Sequence, residues 1–258
     1  MRSRSPTSSS LKEFAEAPGA YLDVAPGTKI FDRERYHASV VAAGRYVNAT
    51  RLRFDPADAA DVLEEVTALA PSGTGSWITP SRGLARALLN AGAREPEQPL
   101  LPTFTALATE REPPAVEGIE VRRVETYSDF LRGLEIELAS GGFTEDRAAR
   151  QRAEAAQTYA LRRARTGGEW LAFLDGEPVA WAGAIAGPRG LYLAGGATLP
   201  GARGRGAYRA LVRARWDYAV QRGTPALVVH AQETSRPILE GCGFHVVCTM
   251  YELESGAR

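Results

Sequence analysis

The sequence is poor in cysteine and lysine and has no long apolar run, and each shortage excludes a class of protein. The two cysteines, Cys242 and Cys248, provide neither a disulfide framework nor a Cys-x-x-Cys metal site. No apolar run is long enough to span a membrane, and the polar residues 1–10 are not followed by the apolar core of a signal peptide. These shortages predict a reduced, cytoplasmic protein without a bound metal.

An excess of charge of one sign is absent as well. The 31 basic and 31 acidic side chains give a formal net charge of zero, which indicates neither nucleic acid nor a membrane surface as a partner. Lys12 and Lys29 are the only lysines, so almost every cationic side chain is a planar guanidinium. At 258 residues the chain is long enough for one large domain or two small ones.

The most specific motif is a glycine-rich, doubly basic segment between a predicted strand over 191–198 and a predicted helix over 206–222. Its sequence is Ala197-Thr-Leu-Pro-Gly-Ala-Arg-Gly-Arg-Gly-Ala-Tyr208. Free N–H groups at a helix N-terminus, with cations beside them, suit an anion such as a pyrophosphate. A plain turn is the alternative. Arg209 stands where a Rossmann motif needs its third glycine, and the Lys-Ser/Thr pair of a Walker A motif is missing.

The C-terminal half has a regular order of predicted elements. They are a strand over 119–124, a helix that begins with a Thr126-x-x-Asp129 capping box, a helix over 144–165, strands over 170–174, 178–185 and 191–198, the helix over 206–222, a strand over 225–231, a short helix over 235–240 and a last strand over 244–253. Asp175-Gly176 predicts a hairpin turn, so the three central strands are expected to form an antiparallel meander.

This order and two motifs resemble the GNAT superfamily of N-acetyltransferases. Arg203-Gly-Arg-Gly-Ala-Tyr208 is similar to the family's Arg-x-x-Gly-x-Gly/Ala loop, except that Tyr208 replaces the last small residue. The helix from Ser235 to Gly243-Phe244 is similar to the family's helix ending in Gly-Phe. The resemblance covers roughly the last 140 residues, about one domain. It implies an α/β fold with a mixed, mostly antiparallel sheet flanked by helices, and acetyl-CoA, or another acyl-CoA, as cofactor.

The resemblance also implies which residues hold the cofactor. The pyrophosphate would lie on the backbone N–H groups of 204–208, where two glycines leave room and two arginines add charge-assisted contacts. The pantetheine arm would pair like an extra strand with 197–199, because the family's strand is bulged there and splays from the next one. Ser235 would touch the cofactor or cap its helix. The full set is Ala197, Thr198, Leu199, Arg203, Gly204, Arg205, Gly206, Ala207, Tyr208 and Ser235.

The catalytic groups are less clearly marked than the cofactor loop. The family often has a tyrosine four residues before the glycine of Gly-Phe and a glutamate on the strand before the loop, but this chain has Leu239 and no carboxylate over 191–198. His230 has a suitable intrinsic pKa for a base, and a histidine bonded to a neighbour at a strand end explains it equally well. The catalytic candidates are His230, Glu233 and Tyr192. We interpret Glu135 and Glu137 as surface charges.

The N-terminal half is expected to be a smaller α/β domain. The predicted division is a disordered tail over 1–18, the N-terminal domain over 19–112, a linker over 113–117 and the catalytic domain over 118–258. Predicted elements are strands over 39–43 and 48–54, a helix after Asp55-Pro56, a strand over 77–79, a helix over 81–90 and a strand over 100–107. The order helix, strand, helix, strand repeats the end of the C-terminal half. We expect either a degenerate copy of the GNAT fold or an unrelated α/β cap.

Together these observations predict an N-acetyltransferase that transfers the acetyl group of acetyl-CoA to the amine of a small molecule by direct attack in a ternary complex. The missing tyrosine and glutamate leave two alternatives open. One is a non-catalytic acyl-CoA-binding or regulatory module. The other is an acyltransferase with a different acyl donor or a hydroxyl acceptor.

Overall fold

The structure is a computed structural model that describes residues 10–40, 46–70, 74–96 and 103–256, and these residues form eight α-helices and one continuous sheet of eleven strands. The strands are β1 (Lys29–Asp32), β2 (His37–Val40), β3 (Val47–Thr50), β4 (Gly75–Thr79), β5 (Thr103–Thr109), β6 (Glu120–Arg123), β7 (Gly167–Leu174), β8 (Glu177–Gly187), β9 (Gly190–Thr198), β10 (Leu227–Ala231) and β11 (His245–Ser255). The helices are α1 (Leu11–Glu16), α2 (Ala59–Thr67), α3 (Arg82–Asn90), α4 (Tyr127–Ser140), α5 (Glu145–Ala153), α6 (Ala155–Arg163), α7 (Ala207–Gln221) and α8 (Arg236–Glu240).

The strand order is β1-β2-β3-β4-β11-β5-β10-β9-β8-β7-β6. Neighbouring strands are antiparallel except for the parallel pairs β3–β4 and β9–β10. This confirms the expected fold class, a mixed and mostly antiparallel sheet flanked by helices. The two halves of the chain exchange their last strands, because β5 lies between β10 and β11 while β11 lies between β4 and β5. One sheet therefore runs through both halves.

The two halves have matching elements on either side of this exchange. Each half has a parallel strand pair joined by a helix, namely β3–α2–β4 and β9–α7–β10, and then a second helix and an exchanged strand, namely α3–β5 and α8–β11. The turns before the first helices differ. In the N-terminal half, a 3-10 turn over Pro56–Asp58 precedes α2, and the Asp55 side chain at its start accepts a hydrogen bond from the N–H of Ala57.

Local sequence signals account for most boundaries in the C-terminal half. Thr126 and Asp129 form the expected capping box at the start of α4. Asp175 and Gly176 both have positive φ, which suits the two-residue turn between β7 and β8. The single helix expected over 144–165 is instead two helices that meet at Glu154, and each buries an alanine in the cluster around α4.

The helices cover the two faces of the sheet in layers. Alternate residues of β8 point to opposite faces, so its alanines pack under α7 while Trp181 packs under α4. In the N-terminal half, α2 and α3 cover Trp77 and Leu253 on one face. The opposite face of β2, β3 and β4 carries Ser39, Asn48 and Ser76, which line a cavity described below.

The expected disordered tail over 1–18 is wrong for residues 10–18, which form α1 and the start of a 3-10 turn. Ser10 and Glu13 form a capping box, and Phe14 is fully buried against Tyr21 and Val228. A six-residue helix is too short to produce a periodic apolar pattern, which is why the sequence does not reveal it. Residues 1–9 lie outside the described residues, as do parts of the strands expected over 39–43 and 100–107.

Candidate active site

The centre of the candidate site is a fork between β9 and β10. The two strands pair only at Leu191 with Leu227 and at Tyr192 with Val228, and β9 then continues without β10 beside it. A bulge at Gly195 (φ +74°) shifts the pairing of β9 with β8 at this point. The backbone of β9 after the bulge therefore has an edge free of strand pairing, as the family resemblance implies.

The loop after β9 leads into an open helix N-terminus. Gly204 (φ +75°) and Gly206 (φ +91°) adopt left-handed conformations that favour glycine, and a Cβ on Gly204 would meet no atom within 4 Å. No side chain caps α7, and its first turn contains no acidic residue. Arg203 donates to the carbonyl of Thr198, and Arg205 reaches Asp175 at 3.5 Å. The loop thus offers unoccupied N–H groups between two exposed guanidinium groups, a suitable cradle for a phosphate.

Tyr208, the departure from the family motif, has a structural explanation. Its ring lies over Gly196, where a Cβ would come within 2.9 Å of the tyrosine Cε2. Arg215 stands 5.7 Å from the centre of that ring and is fully buried. The Arg215 guanidinium donates to the carbonyls of Leu211 and Gly183. Gly196, which has no Cβ, therefore leaves the space that the Tyr208 ring needs where the family has a small residue.

Tyr192 and His230 meet beside the fork, on the face opposite α7. Their ring centres are 5.5 Å apart in an edge-to-face arrangement. The Nε2 of His230 donates to the carbonyl of Ala15 at 2.8 Å, which leaves Nδ1 as the unprotonated nitrogen of the neutral ring. Burial lowers the pKa of His230, so the neutral ring is favoured at neutral pH. Burial, with the nearby charge of Glu252, raises the pKa of Tyr192 to about 12.

The other predicted residues near β10 lie apart from this pair. Glu233 is exposed in the turn after β10 and lines neither of the cavities described next. The Ser235 hydroxyl donates to the carbonyl of Gln232, and its side chain does not cap α8. The capping alternative for Ser235 is therefore wrong, because its hydroxyl is turned back toward the preceding turn.

Two cavities adjoin the fork on the face that carries Tyr192 and His230. The first, of about 290 Å³, lies between α4, α6 and β7–β9 and reaches the bulge at Ala194 and Gly195. The second, of about 210 Å³, lies at the junction of the two halves and is lined by Tyr192 and His230. Arg165 and Ile185 line both cavities, so the two adjoin.

Sequence reasoning missed or misread three charged residues around these cavities. Arg165 follows α6 and lines both cavities. Glu137, interpreted as a surface charge, lines the first cavity with its side chain 25% exposed, and burial raises its pKa. Glu252 accepts a hydrogen bond from Ser76 at 3.1 Å, and burial raises its pKa too. The interpretation holds for Glu135, which pairs with Arg152 at the surface. Successive side chains of a strand point to opposite faces of the sheet, so β11 places Glu252 on the face opposite the buried Leu253.

Among the described residues, no group of three or more His, Cys, Asp or Glu side chains is placed to hold a metal ion. None of the described helices is both long and apolar enough to cross a membrane. Cys242 is buried and packs in the core under α7, and burial raises its pKa.

Comparison with known proteins agrees with this geometry. Residues 134–244 match the model of the acetyltransferase (GNAT) family. The chain is similar in structure to a GCN5-related N-acetyltransferase from Kribbella flavida (18% identity, 90% of each chain covered, TM-score 0.62). It is also similar to a GCN5-related N-acetyltransferase from Sphaerobacter thermophilus (17% identity, 85% of this chain and 76% of that chain covered, TM-score 0.53).

A tandem GNAT protein from the clavulanic acid biosynthesis pathway is similar over both halves (12% identity, 92% of this chain and 86% of that chain covered, TM-score 0.57). The comparison with curated proteins found no match. At these identities the solved structures establish the shared fold, and the family model establishes the domain. The chain therefore carries a GNAT acetyltransferase domain over residues 134–244.

Proposed function

We propose that the protein is an N-acetyltransferase that transfers the acetyl group of acetyl-CoA to the amine of a small molecule. The observation that carries the proposal is the continuity of two features, the unpaired edge of β9 beyond Gly195 and the open N-terminus of α7. An extended arm can add to the first as a strand while an attached phosphate group lies on the second.

The proposed cofactor contacts follow the order of the chain. The pantetheine arm pairs with 197–199, and the pyrophosphate lies on the N–H groups of 204–208 between Arg203 and Arg205. Ser235, half-buried at the start of α8, lies on the other side of the fork and contacts the arm. The cradle suits this group because Gly204 leaves open space and, among the described residues, no side chain caps the helix start, although Val116 packs beside Gly206.

The chemistry that follows uses the two rings beside the fork. When bound, acetyl-CoA would supply a thioester whose carbonyl carbon is open to attack by the amine nitrogen, with the CoA thiolate as the leaving group. His230, neutral and held by Ala15 with Nδ1 unprotonated, takes the proton that the amine loses. Tyr192 stays protonated because of its raised pKa and donates toward the leaving thiolate. Glu233 is exposed outside both cavities, and the proposal gives it no step.

The acceptor is proposed to be a small molecule because the two cavities hold about 290 and 210 Å³, the volume of a metabolite-sized ligand. The N-terminal half is proposed to be a degenerate GNAT copy, since its β3–α2–β4–α3–β5 order repeats β9–α7–β10–α8–β11. In that copy the Asp55 carboxylate caps the 3-10 turn that leads into α2, so one half binds the cofactor and the other completes the acceptor site.

Thermal unfolding with acetyl-CoA tests the cofactor assignment. Binding to the folded state alone adds about 2.7 kcal/mol of stability at a hundredfold excess over Kd. Gly204→Asp places a carboxylate in the cradle, in a conformation that Asp tolerates, and is expected to abolish the shift. Gly223→Asp is the matched control, because Gly223 has the same φ of +75° and equally open surroundings at the far end of α7.

The outcomes separate the alternatives. A shift in wild type and in Gly223→Asp, but not in Gly204→Asp, supports the cradle. Release of CoA with an amine library then supports N-acetylation. Binding without turnover supports a non-catalytic module, and turnover only with hydroxyl acceptors or longer acyl groups supports a different acyltransferase. A folded wild-type protein that shows no shift with acetyl-CoA refutes the proposal.

A further inference from the structure

Arg165 is a cationic residue in the wall of both cavities. Among the described residues, its side chain has neither a hydrogen bond nor an ion pair. Burial lowers its pKa, and the charge that acts on it belongs to Arg162, which has the same sign. A guanidinium partly removed from water without a partner is costly, so an arrangement of this kind is expected where a ligand supplies the missing charge.

Arg162 lines the same wall of the first cavity and, by contrast, has both charged and aromatic partners. Arg162 pairs with Glu169 at 2.6 Å and with Glu137 at 3.7 Å, and it lies 5.2 Å from the centre of the Trp181 ring. These contacts use the two acidic residues that line the first cavity. Among the described residues, both of these glutamates contact Arg162, and Arg165 forms an ion pair with neither of them.

Arg165 is also close to the place where the acetyl group would be delivered. The first cavity, which Arg165 lines, extends to Ala194 and Gly195 at the bulge of β9. The second cavity, which Arg165 lines as well, contains Tyr192 and His230. A ligand held by Arg165 can therefore reach the fork from either cavity.

We infer that the acceptor is an amine that also carries a carboxylate, and that Arg165 binds this carboxylate. A planar guanidinium matches a carboxylate through two parallel hydrogen bonds. A single unpaired cation suits one negative charge better than a doubly charged phosphate. The acceptor class is then that of amino acids and related amino carboxylates. This inference rests on the proposed function and names the substrate class of the same site.

The first test uses matched pairs of amines, namely amino acids and their carboxamides, with CoA release as the readout. The wild-type protein is expected to use at least one amino acid with kcat/KM at least tenfold above that of its amide. Arg165→Gln is expected to lose this preference, mainly through a raised KM for the amino acid. Converting the carboxylate to an amide also changes the basicity of the amine. The decisive comparison is therefore the ratio of kcat/KM for the amino acid to that for its amide, measured in the variant and in wild type.

Arg163→Gln is the matched control, because Arg163 lies two residues away at the end of α6, is exposed and lines neither cavity. It is expected to keep the wild-type preference. Removing an unpaired, partly buried charge does not destabilise the fold, so the melting temperature of Arg165→Gln is expected to equal or exceed that of wild type. A marked fall in melting temperature would assign Arg165 a structural role and overturn the inference.

A binding measurement separates this inference from the proposed function. Calorimetry with N-acetyl amino acids, the products, is expected to show binding to wild type and Arg163→Gln but not to Arg165→Gln, while acetyl-CoA still binds all three. If no amine gives CoA release, Arg165-dependent binding of the N-acetyl amino acid still supports the carboxylate site, although the proposed function fails. An unchanged preference in Arg165→Gln, or binding that does not depend on Arg165, overturns the inference.

Discussion

The contact between Gly196 and Tyr208 yields a sharp stability prediction. Replacing Gly196 by Ala in a strand would by itself stabilise the protein by about 0.5–1 kcal/mol, because glycine loses more backbone freedom on folding. Here the added Cβ would lie 2.9 Å from Tyr208 Cε2 and 3.6 Å from Ala182 Cβ. Overpacking of this kind costs about 1–3 kcal/mol. We therefore expect Gly196→Ala to lower the free energy of unfolding by about 1 kcal/mol.

The same substitution is expected to have the opposite sign when the tyrosine is absent. In a Tyr208→Ala background the clash disappears, so Gly196→Ala should stabilise by about 0.5–1 kcal/mol relative to Tyr208→Ala alone. The double-mutant cycle then gives a coupling of about 1–3 kcal/mol between two residues twelve positions apart. Gly201→Ala is the control, because a Cβ there meets no atom within 4 Å and its cost should not depend on Tyr208.

Equilibrium urea unfolding measures six proteins: wild type, the three single variants, and the two double variants that combine Tyr208→Ala with Gly196→Ala or with Gly201→Ala. A constant m-value is the condition for comparing their free energies of unfolding. One continuous sheet through both halves favours a single cooperative transition. If Gly196→Ala lowers the free energy of unfolding equally with and without Tyr208, then the tyrosine ring does not need the space that Gly196 leaves. That result would refute the structural explanation of Tyr208 in the family motif.

Two further predictions concern the N-terminal segment and the buried histidine. Phe14→Ala should lower the free energy of unfolding by about 3–5 kcal/mol, because Phe14 is fully buried, and an unchanged urea midpoint would show that α1 is not docked. Since burial lowers the pKa of His230, the unfolded state binds its proton more readily, and stability should fall as pH drops below about 6.5. His230→Gln should flatten the dependence of the urea-derived free energy of unfolding on pH between about pH 7 and 5. His245→Gln, at an exposed position, is the control. Burial also lowers the pKa of His37, which therefore contributes the same trend to the profile of every variant.

The glycine-rich turn between β9 and α7 could be predicted from the sequence because its signal is local. The glycines that need positive φ, the arginines beside them and the helix that follows all lie within about one turn of each other. The hairpin at Asp175-Gly176 and the capping box at Thr126 were predicted for the same reason. In each case the physical cause acts between residues a few positions apart in the chain.

The acceptor cavities could not be predicted because their walls depend on long-range pairing. Glu252 faces Tyr192 only because β11 leaves its own half and pairs with β4, a contact across about 170 residues of chain. Arg165 looks like one more arginine in an Arg-rich helical segment until the pairing of β7, β8 and β9 places it between two cavities. The resemblance to a family identified the domain. It did not reveal the strand exchange, because the exchange alters no local sequence motif.

The strand exchange brings both halves of the chain to the wall of one cavity. The side chain of His230, near the end of β10, donates its hydrogen bond to the carbonyl of Ala15 in α1 and not to a strand of either half, and α1 packs on β5, β10 and β11. The second cavity takes its walls from β2, β3 and β4 of one half and from β8, β9 and β10 of the other. Because β5 is held between two strands of the C-terminal half and β11 between two strands of the N-terminal half, a change in the position of one half would move the walls of this cavity and the ring of His230 together. The N-terminal half, though it has no glycine loop, therefore fixes the geometry in which an acceptor would meet the fork.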